Sequence, residues 1–265
     1  MQVRLDILAQ IKTAGSGHPG GSLSCADLLA VLYGYAIDVD KLKAGGAVRD
    51  HVILSKGHAA PALYAALAGV GVIPHEELAT LRQLGSRLQG HPDRTRLPEV
   101  EMSTGSLGQG LSVAAGIAWW LARQPTAAQS YVVLGDGELD SGNIWEAVAL
   151  AGVQHLVRLV AVVDANGVQN DGPVRDILDL TPYAPKFEAF GWITREIDGN
   201  DIGQIVDAVD WARTAVSPAP RAIIAHTIKG KGVSYMEGKY EWHSHALTDE
   251  QYAQAVAELE EATRD

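Results

Sequence analysis

The stretch Tyr131–Val153, YVVLGDGELDSGNIWEAVALAGV, decides how the rest of the chain is read. A short apolar run ends in Gly135-Asp136-Gly137, and apolar residues at helical spacing follow. Strand, tight turn and helix is the predicted order. An isolated Gly-Asp-Gly is open to two readings. The glycines can serve the turn and the Asp can cap the next helix. Or the carboxylate, poorly placed for stability at the end of a buried strand, is there to hold a cation.

A second stretch bears on that choice. LVRLVAVVDANGVQNDG, residues 156–172, is a nearly continuous apolar run closed by a polar turn, the pattern of a buried parallel strand. Its Asn166 lies thirty positions after Asp136, room for a helix and a return strand. The ends of two adjacent βα units can then present a carboxylate and an amide oxygen to one point. Hard oxygen donors, with a free backbone carbonyl in the turn, suit Mg²⁺ or Ca²⁺ bound to a diphosphate. The helix from Asn143 would aim its first N–H groups at the anion.

The same alternation runs through the chain. Helices are predicted for the N-terminal segment with Leu5, Leu8 and Ile11 on one side, for Ser24 to Ile37 with Ser22 or Ser24 as cap, and for APALYAALAGVG. Others are predicted for Gly110 to Arg123, for GQIVDAVDWARTA and for the tail from Thr248 to Ala262. Strands are predicted at the start of HVILSKG, in SYVVLGDG, in LVRLVAVVDANG and in PRAIIAHTIKG. The expected fold is α/β, an open and mostly parallel sheet with helices on both faces, in one domain over 1–265. Ligands of such sheets sit beyond the carboxyl ends of the strands, where Gly-Asp-Gly falls.

Composition narrows the function. A net charge of −11 disfavours a broad nucleic-acid surface. One cysteine, Cys25, gives no disulfide framework and no paired-cysteine metal site, so a reducing, cytoplasmic setting is expected. No segment reads as a signal peptide or a membrane span. The phosphate-binding GxxxxGK[ST] is absent, and GSLGQG (105–110) is not the dinucleotide GxGxxG, which disfavours a Rossmann dehydrogenase.

Four histidines stand in short polar loops: His18 in GSGHPGG, His58 in SKGHAAP, His91 in LQGHPD and His243 in YEWHSHAL. Each alone is an ordinary loop histidine. No HExxH or His-x₃-His spacing points to zinc. Imidazoles that bind hydroxyls and shuttle protons are the better reading of the set.

Together the stretches AGSGHPGGSLSCADLLAVLY, DHVILSKGHAAPALYAAL, STGSLGQGLSVAAGIA, LGDGELDSGNIWEA with DANGVQNDG, and HTIKGKGVSYME…EWHSHA run in one order over about Leu5 to Leu247. In that order they resemble the N-terminal, diphosphate-binding part of transketolase, a thiamine-diphosphate enzyme. The length resembles the N-terminal subunit of a split transketolase, as does GSLGQG in place of GPLGQG.

The resemblance implies that Asp136 and Asn166 ligate Mg²⁺ by side chain and Val168 by its carbonyl. It places Gly105, Ser106, Leu107, Gly135, Gly137, Glu138, His58 and His243 at the cofactor. It assigns His18, His58, His91 and His243 to the ketose hydroxyls and to proton transfer. Glu146 resembles a family glutamate near the subunit interface. The implied reaction is transfer of a two-carbon ketol unit from a ketose or its phosphate to an aldose. It requires a partner chain carrying the pyrimidine-binding domain and the activating glutamate, in an α2β2 assembly. A thiamine-diphosphate transferase with another donor and acceptor, or a non-catalytic subunit of the same fold, stays open. Two positions depart from the family pattern. Ser141 replaces a glutamate, with Asp140 beside it as a partial substitute, and His245 competes with His243 for one role.

Overall fold

A computed structural model describes residues 1–262. Five strands, β1 (His51–Leu54), β2 (Ser130–Gly135), β3 (Leu159–Ala165), β4 (Ile193–Asp198) and β5 (Arg221–His226), form one sheet in the order β1-β2-β3-β5-β4. All neighbours are parallel. Every residue of β1, β2 and β3 is buried, because helices cover both faces. The period-two pleat divides the strand side chains between two cores. Tyr131, Val133, Val160 and Val162 join one cluster with the helices Gln2–Ala14, Ala60–Gly69 and Ile202–Thr214. Val132, Leu134, Ala161 and Val163 join the other with the helices Gly110–Leu121 and Gly142–Val153. This is the predicted open α/β sheet.

Several local expectations are corrected. Ser24 to Ile37 is not one helix. It is the end of a helix Pro19–Ser24, a helix Ala26–Val31 and a π-turn Leu32–Ala36. Neither predicted cap serves as one: Ser22 Oγ donates to the His18 carbonyl at 2.7 Å, and Ser24 Oγ donates to Asp164. On the first helix Ile7, Leu8 and Ile11 are fully buried, while Leu5 is only partly so. β4 lies outside the predicted strands; it is an edge strand in which only Ile197 is buried. The tail helix Asp249–Glu261 starts where predicted, with Thr248 and Gln251 forming a reciprocal capping box. Cys25 is free and buried at the start of a helix. Among the described residues no helix is long and apolar enough to cross a membrane.

Candidate active site

The sheet fixes the site. Gly135, the last residue of β2, pairs with Asp164 near the end of β3, so the loops beginning at Asp136 and Asn166 leave the sheet side by side. They wall a cavity of about 140 Å³ that also touches Gly21, Lys56, His58, Leu107, Lys229 and His243. Asp136 is 3% exposed. Its two carboxylate oxygens accept the N–H groups of Gly137 at 2.9 Å and Gly167 at 2.6 Å. Burial and the neighbouring Asp164 charge push its carboxyl up to about 6.

The donor set suits a hard cation. Asn166 Oδ1 accepts the Val168 N–H at 3.1 Å, and the Val168 carbonyl accepts from the Lys229 ammonium, 3.0 Å away. One carboxylate, one amide oxygen and one carbonyl thus line the same cavity, and the carbonyl already attracts a positive group. Among the described residues no cluster of three or more His, Cys, Asp or Glu forms a complete metal cage. A cation held here would need oxygens from a ligand, as Mg²⁺ does when it rests on one carboxylate and substrate phosphates.

Two cations in the cavity wall were not singled out from sequence. Lys56 and Lys229 are each 1% exposed. Burial disfavours the Lys56 charge, but Asp164, which accepts a hydrogen bond from its Nζ, holds the ammonium above its usual range. Lys229 donates to the carbonyls of Val168 and Gln169, and burial together with Lys56 brings it down to about 8. Two desolvated ammoniums in the wall can pair with an anion that enters the cavity. The SKGH and TIKGKG stretches carried these lysines, but nothing local separates them from solvated ones.

The four loop histidines converge. The His18 ring centroid lies 5.3 Å from that of His58, 6.3 Å from His91 and 5.5 Å from His243, and His58 and His243 are 5.0 Å apart. Burial, then Arg82, lowers His18 to about 4; burial, then Lys229, lowers His243 to about 3. His58 is pushed well below 6.5 by burial and Lys56, and His91 is lowered by burial and Arg82. The rings are therefore neutral at pH 7, so each offers one donor and one acceptor nitrogen. The geometry separates the two competing positions. His243 lines the cavity, whereas His245 is exposed and packs edge-on against Trp242 at 4.7 Å.

These neutral imidazoles set a pH dependence. As pH falls through 6.5, the unfolded chain takes up protons on these histidines before the folded one does. Stability is therefore lost as pH drops from about 7 toward 4. In a histidine NMR titration the His18 and His243 resonances should stay flat from pH 8 to 5.5. A midpoint near 6.5 for either would contradict the buried cluster.

The other predicted residues divide. Leu107 lines the cavity and is 40% exposed. Gly105 has φ 144°, and a Cβ there would lie 3.1 Å from the His91 ring, so the loop can pass the imidazole only as glycine. Ser106 is exposed on the same turn. Glu138 borders the cavity, but its carboxylate is occupied by Ser55 Oγ and the N–H groups of Gly108 at 2.7 Å and Gly135 at 3.1 Å. It therefore ties three loops together. The helix that begins at Gly142 does not line the cavity; the short 3-10 turn Gly137–Asp140 does, and Asn143 turns to the Gly108 carbonyl at 2.9 Å. Glu146 is exposed on that helix, away from the cavity. Asp140 receives the Gln169 amide at 2.7 Å, which engages it with the loop that follows β3.

Comparison with known proteins gives the family. The family described as transketolase, thiamine diphosphate binding domain, matches residues 1–261. The chain is 45% identical over 258 residues to a 6-deoxy-6-sulfo-D-fructose transketolase subunit of Clostridium sp. (strain MSTE9), covering 97% of this chain and 94% of that one. It is 40% identical to an apulose-4-phosphate transketolase subunit of Phocaeicola vulgatus, covering 94% and 88%. The crystal structure of transketolase from Campylobacter jejuni superposes with a TM-score of 0.89 at 30% identity, covering 98% of this chain but only 42% of that one. The chain therefore belongs to the transketolase family, as its N-terminal thiamine diphosphate binding domain.

Proposed function

We propose that this chain is the N-terminal subunit of a two-component transketolase that moves a two-carbon ketol unit from an anionic ketose to an aldose. The observation that carries the reading is the convergence of Asp136, Asn166, the Val168 carbonyl, two buried lysines, His58 and His243 on one cavity, with His18 beside those two rings and His91 next to His18. The described residues 1–262 form one domain, and the pyrimidine-binding half resides on another polypeptide. In support, the chain spans nearly the whole of two relatives named as subunits, and 42% of the Campylobacter transketolase.

In this reading Asp136, Asn166 and the Val168 carbonyl hold Mg²⁺, for which Ca²⁺ can stand in. Lys56 and Lys229 neutralise the diphosphate, and Gly137 lets the backbone approach it. Leu107 and the Gly105–Ser106 turn lie toward the aminopyrimidine. Thiamine diphosphate, when bound, supplies the electron sink for the two-carbon fragment. His18, His58, His91 and His243, held neutral, bind the sugar hydroxyls and move protons there. The partner supplies the activating glutamate.

The two adjacent helices Gly110–Leu121 and Gly142–Val153 leave Val113, Trp119, Leu150 and Val153 exposed, and Glu146 is exposed on the second of them. That apolar exposure fits a face covered by another polypeptide in an α2β2 assembly. The single buried Cys25 fits a cytoplasmic setting.

The relatives act, by name, on a sulfo-ketose and on a ketose phosphate. The donor for this chain is accordingly a ketose with a terminal phosphate or sulfonate. The test is a donor panel, xylulose 5-phosphate against 6-deoxy-6-sulfofructose, offered with ribose 5-phosphate to the two-chain complex. Consumption of one donor, with release of an aldose two carbons shorter, is expected. Consumption of neither, with cofactor bound, would refute ketol transfer from this donor class.

A further inference from the structure

Asp164 lies near the end of β3 with a side chain fully shielded from solvent. It gathers donors from four segments. Ser24 Oγ reaches it at 2.6 Å, Lys56 Nζ and Thr227 Oγ1 bond to it, and Asn166 Nδ2 lies 3.3 Å away. Lys56 also donates to the Gly21 carbonyl at 3.0 Å. One carboxylate thus joins the loop after β1, the Pro19–Ser24 helix, the segment after β5 and the turn after β3. None of these four contacts was a sequence expectation, since Asp164 lies inside an apolar run.

The chemistry at Asn166 is directional. An ionised carboxylate only accepts hydrogen bonds, so the amide must turn its NH₂ toward Asp164 and its oxygen the other way. That oxygen meets the Val168 N–H on the side of the cavity. With a neutral donor in place of the carboxylate, only the Val168 N–H would hold the amide in this orientation. Lys56 and Thr227 keep the carboxylate itself from rotating.

We infer that Asp164 is a positioning residue: it fixes the Asn166 amide with its oxygen toward the bound cation. The inference rests on the reading of Asn166 as a cation ligand. Outer partners of metal ligands act in this way, and their loss commonly costs about 10–100-fold in metal affinity. Asp164 touches neither metal nor substrate; it acts through Asn166.

The test is a double-mutant cycle on the two-chain complex, read as Mg²⁺ affinity in a titration of thiamine diphosphate binding by tryptophan fluorescence. Asp164→Asn should weaken Mg²⁺ at least about tenfold. In an Asn166→Ala background the same change should add less than about twofold, because the residue through which it acts is gone. An equal loss in both backgrounds would mean a general structural role and would overturn the inference. So would unchanged Mg²⁺ affinity in Asp164→Asn while Asn166→Ala weakens it. Unchanged affinity in Asn166→Ala would overturn the ligand reading itself, and this inference with it.

Because Asp164→Asn leaves Lys56 buried without its counter-charge, the native protein supplies a second measurement. In ¹⁵N-labelled wild type the Asn166 side-chain NH₂ should exchange slowly with water, with one proton shifted downfield by the carboxylate. Fast exchange of that amide would overturn the orientation.

Discussion

Asp136→Ala is expected to abolish Mg²⁺-dependent binding of thiamine diphosphate while leaving the chain folded. Asp136 is the one carboxylate among the three proposed cation donors, and it is 3% exposed. A unit charge about 4 Å from another is worth about 4 kcal/mol at an effective dielectric constant of about 20. That is roughly a thousandfold in affinity, and more for a divalent ion. Two effects of the substitution on folding oppose one another. The N–H groups of Gly137 and Gly167 lose their acceptor, which costs stability. A carboxyl pushed up to about 6 by burial and Asp164 also disappears, which relieves it. Fluorescence titration with and without Mg²⁺, beside a thermal melt, separates the two. A variant that keeps metal-dependent binding would remove Asp136 from the site.

Gly152→Ala is expected to destabilise the fold by about 3 kcal/mol or more, and Gly116→Ala is not. A Cβ at Gly152 would sit 1.7 Å from the carbonyl oxygen of Phe190, which is backbone and cannot rotate away. The helix Gly142–Val153 is pinned at that point, because Trp192 Nε1 donates to the Val148 carbonyl at 2.9 Å. The interior is close-packed, so either the helix or the Phe190 segment must move. For a domain of this size the melting temperature should fall by roughly 10 °C. Gly116 is the contrasting case: it is exposed in the helix Gly110–Leu121 and a Cβ there meets nothing within 4 Å. Alanine at that position should stabilise by about 0.5–1 kcal/mol through helix propensity. Equal melting temperatures for the two variants would contradict the packing described for Gly152.

The parts of this architecture that were legible in the sequence have a common physical origin. β2 and β3 are buried on both faces, so their apolar runs are unbroken and end abruptly at polar turns. Asp136 and Asn166 meet because those two strands are neighbours, which the thirty-residue spacing already suggested. The four histidines share a site because each lies in a loop at that end of the sheet. Glycine directly precedes His18, His58 and His91, whereas His243 follows Trp242.

What stayed hidden is equally specific. β4, ITREID, is an edge strand with a solvated face, and its alternation is too weak to register. The break at Cys25 arises from tertiary bonding, since Ser24 bends to Asp164 across 140 residues of chain. Asp164, Lys56 and Lys229 are buried charges whose partners are distant in sequence. A charge in an apolar run reads as a loop edge until the partner is seen. The helix after Gly-Asp-Gly was expected to face the anion. The interposed 3-10 turn Gly137–Asp140 takes that place.

In the proposed enzyme this chain holds the metal and diphosphate end of a cofactor whose chemistry needs a second polypeptide. The decisive measurement is ketol transfer with thiamine diphosphate and Mg²⁺, run with this chain alone, with the partner alone and with the two mixed. Transfer is expected only in the mixture, at a rate that saturates near equal amounts of the two chains. Transfer by this chain alone would contradict the division of the cofactor between two polypeptides.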